Sequence, residues 1–112
     1  MKTPDPIMIV VEALRSGSYT QGRGTLYKEG SFCCMGVAAK VLGIATEEVM
    51  IYTGETSTGL AGPSWVYEQL KPVLGDSLCQ TGIKMNDDGE SFDAIADKFE
   101  EFYNRNLVED AQ

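Results

Sequence analysis

The run from Cys33 to Leu42, CCMGVAAKVL, constrains the fold more than any other stretch of the chain. Its residues are small and apolar, and its only charge is Lys40. A helix with a single polar position has no wet face, so it is expected at the centre of the molecule. Gly43 should stop it. Gly36 within it costs ~1 kcal/mol relative to Ala, which points to another backbone passing close by.

Other segments read as elements that pack around such a helix. Ile7, Val10, Val11 and Leu14 recur at helical spacing after Pro4 and Pro6, with Arg15 in the last turn and Ser16-Gly17 as the stop. Ser64 caps a second amphipathic run carrying Trp65, Val66, Leu70, Val73 and Leu74. Pro72 is expected to break or kink it late, and Gly75-Asp76 to form a turn. Met85 to Ser91 reads as a loop ending in a helix cap, with Asp93 beside the positive helix end. Phe92, Ile95, Ala96, Phe99, Phe102 and Tyr103 then give one apolar face, and Asp97, Lys98, Glu100 and Glu101 a wet one. Thr46-Glu47-Glu48 suits a short helical turn. Residues 53 to 63, rich in Gly, Thr and Ser, suit a mobile loop.

Between the first two helices the pattern changes. Gln21-Gly22-Arg23-Gly24 reads as a loop, Thr25 to Lys28 as a strand, Glu29-Gly30 as a turn, and Ser31 to Cys33 as the return strand. The expected fold class is therefore α+β and predominantly helical, with about four helices and one small β-hairpin. With 112 residues, the chain is expected to form one domain, 1–112.

Charge and cysteine usage narrow the function classes. The net charge is −8. Residues 1 to 45 hold five cations against three acids, and the remainder four against fourteen. Direct binding to nucleic acid through its phosphates needs a basic face and is not expected. A local anion site in the first half is compatible with the pattern. There is no histidine, which excludes Ser-His-Asp and Cys-His catalysis. The three cysteines lack C-x-x-C spacing and read as reduced, buried thiols, so no metal or cofactor is expected. Asn86-Asp87-Asp88-Gly89 fails the EF-hand test, because Lys84 and Ile95 fall where ligands are needed. The longest apolar run, Ile7 to Val11, is too short to span a membrane, and no signal peptide pattern is present. The expectation is a cytoplasmic protein.

Two blocks, EALRSGSYTQGRGTLYKEGSFCCMGV and MNDDGESFDAIADKFEEF, resemble a family of small bacteriophage and prophage proteins. Members typically read ALRSG-x-Y-x-QG-x-G-x-L, then FCCLGVL, and near the end LND-x-G-x-SF-x-x-IAD. Here Ala38-Ala39-Lys40 follow Val37 where the family often has Cys-Asp, and Met85 replaces the usual Leu. The resemblance implies a phage origin, in the host cell cytoplasm, but no activity. By analogy with small phage accessory proteins, it points to sequestration of a nucleotide immune signal, either a cyclic ADP-ribose variant or a cyclic oligonucleotide.

Two readings stand for the stretch from Ser18 to Gly36. One is a Gly-rich hairpin leading into the core. The other is a ligand site. In the second, Gly22 and Gly24 let the backbone approach a ligand, and Arg15 and Arg23 supply phosphate donors. Tyr19 and Tyr27 offer stacking faces, and Gln21, Asn86 and Asp87 supply further polar contacts. The amides opening the helix near Cys33 could receive a phosphate. A homo-oligomer is expected, with pockets at subunit interfaces that join Arg15, Tyr19, Gln21 and Arg23 of one copy to Asn86, Asp87 or residues 53 to 63 of another. The alternatives are an acidic interaction protein that inhibits a host protein, and a small nucleotide hydrolase.

Overall fold

The computed structural model describes residues 5–22, 26–28, 30–50 and 64–110. Arg23, Gly24 and the expected loop at 53 to 63 lie outside the described residues. Helix α1 spans Pro6–Arg15, α2 Cys34–Val41, α3 Glu47–Met50, α4 Ser64–Leu74, α5 Asp76–Asp87 and α6 Phe92–Asp110. Three two-residue strands, β1 Thr20–Gln21, β2 Tyr27–Lys28 and β3 Ser31–Phe32, form one small sheet. The fold is α+β and predominantly helical.

Helix α1 begins as its sequence dictates. Asp5 caps it, with its side chain accepting from the Ile7 N–H at 2.8 Å, and Pro6 occupies the first turn. Its buried face is Ile7, Val10, Val11 and Leu14, packed mainly against α6 and secondarily against α2. Helix α2 is the central element: every residue from Cys34 to Ala39 is buried, and Lys40 is exposed. A methyl group at Gly36 would lie 1.9 Å from the Leu26 carbonyl oxygen, so this glycine does admit a second backbone against the helix. Leu26 is itself fully buried, and its carbonyl accepts from the Cys33 N–H at 3.2 Å.

The sheet has order β1-β3-β2. β2 and β3 are the expected hairpin, antiparallel with Tyr27 opposite Phe32 and Lys28 opposite Ser31. Gly30 takes φ +84° between them. β1 adds on the other side of β3, in parallel, with Thr20 opposite Ser31 and Gln21 opposite Phe32. Thus part of what reads as a loop is a third strand. The Gly22 N–H continues its ladder to the Phe32 carbonyl at 2.7 Å.

One expectation is corrected: Met85, Asn86 and Asp87, read as the start of a loop, are helical. Gly75, at φ +94°, separates α4 from α5, a full helix that carries Asn86 and Asp87 in its last turn. Pro72, expected to break or kink α4 late, stands close to its C-terminal end. The helix runs to Leu74, and the Gly75 N–H still donates to the Lys71 carbonyl at 2.8 Å. Pro72 sits in the last turn, where its missing N–H removes one bond and leaves the rest of the ladder intact.

Candidate functional site

Among the described residues, most of those expected at a site fall into two clusters, both built on the small sheet. The first centres on Asn86, which is 1% exposed. Its amide nitrogen donates to the Gly22 carbonyl at 2.7 Å. Its oxygen accepts from the Cys34 N–H and from the Gln21 side chain, both at 3.2 Å. Gln21 also donates to the Glu90 carbonyl at 2.6 Å, and its own oxygen accepts from the Phe92 N–H at 3.1 Å. One pair of amide side chains thus ties β1, the start of α2, the end of α5 and the start of α6 together. Buried amides require such partners.

This geometry changes the expected site in two respects. Gln21 and Asn86 meet within one chain, not across a subunit interface. The amides that open α2 are also occupied: Cys34 donates to Asn86, and Gly36 donates to the Cys33 sulfur at 3.4 Å. An anion therefore has no open helix terminus to enter there. Asp87 is exposed at the end of α5, outside this bonded network.

The second cluster is aromatic. The ring of Phe32 is flanked by Tyr19, edge-on at 5.3 Å, and by Tyr27, tilted at 4.7 Å. Phe32 is buried, whereas both tyrosines are half-buried. The Lys40 ammonium stands 5.8 Å from the Tyr19 centroid and 5.6 Å from that of Phe32, within the range of cation–π attraction. Lys40 also pairs with Glu47 at 2.9 Å. Beside this pair lies an open groove of about 360 Å³ lined by Lys40, Gly43, Ile44, Ala45, Thr46 and Glu47. Sequence reasoning did not select Lys40, Phe32 or Glu47 for the site. The available signal was that Lys40 is the lone charge on an otherwise apolar helix, so it must mark the edge where that helix meets solvent.

Arg15 belongs to neither cluster. Its guanidinium bonds Asp97 at 2.6 Å and Glu100 at 3.0 Å, across the α1–α6 contact. These hydrogen bonds, first to Asp97 and then to Glu100, raise its pKa.

The thiols are buried and free. Burial pushes Cys33 up to about 11 and Cys79 up to about 11, and raises Cys34 well above its ordinary value. All three are protonated near neutral pH, so none is an activated nucleophile. Among the described residues, no group of three His, Cys, Asp or Glu side chains is placed to hold a metal ion. Also among them, no helix is long and apolar enough to cross a membrane.

Residues 8–58 match the family model described as a domain of unknown function, DUF8296. No curated protein and no solved structure matches the chain. The matched stretch contains α1 from Met8 onward, the sheet, α2 and α3, and therefore the whole aromatic cluster with Lys40 and Glu47.

Proposed function

We propose that the chain is a phage accessory protein that binds a small anionic nucleotide and holds it unchanged. The observation that carries this reading is the aromatic cluster. Two tyrosines sit half-buried beside a fixed phenylalanine, with an ammonium group above the rings. Rings held in place by packing can stack on a base with little loss of freedom on binding. The ligand classes that suit the reading are a cyclic ADP-ribose variant and a cyclic oligonucleotide, taken up in the cytoplasm of the host. A homo-oligomer would enclose more of such a ligand than one 112-residue chain can. The protonated thiols supply no nucleophile for a hydrolase. On α6, the outward acids are partly neutralised: Arg15 takes up Asp97 and Glu100, and Lys98 lies 3.5 Å from Glu101. That leaves the acidic-decoy reading with less charge than the sequence offers.

The test is a thermal-shift screen against cyclic nucleotides and ADP-ribose derivatives, with the ligand recovered by heating and identified by mass. Sequestration requires a shift and an intact ligand. A Tyr19→Ala, Tyr27→Ala double variant should stay folded and lose the shift. A chemically altered ligand indicates an enzyme. The absence of any shift across the panel overturns the reading.

A further inference from the structure

Lys40 occupies an unusual position. It is the one charge on the buried central helix, it stands over two aromatic rings, and its ammonium is already engaged by a carboxylate at 2.9 Å. Both partners of that pair remain accessible, with side chains 39% and 38% exposed. The hydrogen bond between them raises the Lys40 pKa and lowers that of Glu47. The groove beside them is open and, at about 360 Å³, lies at the small end of the range for ligand sites of roughly 300–1,000 Å³. Ala45 and Ile44 give part of it an apolar wall.

We propose that Lys40 and Glu47 form an anion-exchange element in this groove: the phosphate of a bound nucleotide takes the place of the Glu47 carboxylate on the Lys40 ammonium. The inference rests on the tyrosine face being the nucleotide-stacking surface. A lysine binds phosphate as a point charge and needs no fixed fork geometry, so exchanging one oxyanion for another asks for little rearrangement. The displaced carboxylate is at the surface and returns to water without a burial cost. A phosphodiester carries one charge, as the carboxylate does, and gains over it through the stacked base, whereas a terminal monophosphate carries up to two charges. Glu47 then acts as an internal competitor that keeps weak anions off the site, while a ligand that both stacks and carries phosphate displaces it. A nucleoside without phosphate has no reason to disturb the pair. The preference for phosphorylated ligands thereby comes from Lys40, and Glu47, a residue that need not touch the ligand, sets how strong an anion must be to take its place.

The experiment titrates adenosine 5′-monophosphate and adenosine into the wild-type chain, Glu47→Gln and Lys40→Gln. It follows tyrosine fluorescence and the NMR signal of the Lys40 side chain. Glu47→Gln should bind the monophosphate about fivefold more tightly at low salt, the scale of one exposed ion pair, with adenosine unchanged. Lys40→Gln should bind the monophosphate no better than adenosine. A structural role for the pair predicts equal effects on both probes, or none. Unchanged or weaker binding of the monophosphate by Glu47→Gln overturns the inference, as does full-strength binding by Lys40→Gln. If neither probe binds any of the three proteins, the inference also falls. The sequestration reading is then judged separately, by the panel of cyclic nucleotides.

Discussion

The Asn86 cluster and the Phe32 cluster are both built on the small sheet, and they use their polar groups in contrasting ways. At Asn86 the side-chain amides are turned inward, and each bond closes on another element of the same chain. At Phe32 the polar groups stand at the rim: Tyr19 and Tyr27 are half-buried, and the Lys40 ammonium is exposed beside an open groove. Both clusters contain residues from the stretch that reads as a possible site. Asn86 has both its nitrogen and its oxygen bonded and is 1% exposed, so a ligand does not reach it. Tyr19 and Tyr27 are only half-buried, so part of each ring meets solvent. The first cluster ties elements of the fold together, and the second is where we propose that ligand binds.

The contrast can be broken or sharpened by mutation. The largest effect is expected from Gly36→Ala, because the new methyl would meet the Leu26 carbonyl at 1.9 Å and backbone cannot yield as a side chain can. A loss of about 3 kcal/mol or more is expected in urea denaturation, or failure to fold. Asn86→Ala should come next. It leaves the buried Cys34 N–H and the part-buried Gly22 carbonyl without their partner, a cost of about 2–4 kcal/mol by the same measurement. A loss below ~1 kcal/mol would show that the cluster is not structural and would return Asn86 to consideration as a ligand contact.

The buried thiols give a pH effect of similar size. Their pKa values are raised in the folded chain, Cys33 from 9.0 to about 11 by burial. The folded state therefore binds more protons than the unfolded state across that window. The stabilisation is fully present below pH 9 and is lost as the pH rises toward about 11. For Cys33 alone the loss is on the order of 2–3 kcal/mol. It should appear as a falling melting temperature over this range, and Cys33→Ala should make that part of the curve shallower, with Cys34 and Cys79 keeping the rest of the slope. The smallest effect is expected at Arg15. Arg15→Ala removes exposed ion pairs to Asp97 and Glu100, so stability should change by less than about 1 kcal/mol, and salt should erase the difference.

Much of this architecture is legible in the sequence, for reasons that also explain what is not. The starts of α1 and α6 carry strong periodicity and caps, and α2 announces its burial by having one charge. Gly36 predicts the close approach that Leu26 makes. Helix α5 is not legible. Its sequence, DSLCQTGIKMND, holds Thr81 and Gly82 in mid-helix and has little apolar character. Gly82 is there for packing: a methyl at that position would lie 2.6 Å from Phe99 Cζ and 3.1 Å from the Cys34 sulfur. Local preference is overridden by the need to bring α5 against α6 and α2. The missed helix accounts for the misplacement of Asn86 and Asp87 in a loop. The strand β1 is missed for a related reason, since two residues carry no period. Of the proposed binding face, Tyr19 and Tyr27 are legible as aromatic residues beside glycines. Lys40 and Glu47 are separated from them in sequence and join them only through the turn after α2.

The central claim is that ligand meets the aromatic cluster and not the amide cluster. The most direct measurement is NMR chemical-shift mapping, with whichever nucleotide gives the largest thermal shift titrated into the labelled chain. The account predicts the largest changes at Tyr19, Tyr27 and Lys40, with the side-chain amide signals of Gln21 and Asn86 unmoved. Large shifts at those two amides, with the tyrosines silent, would contradict it.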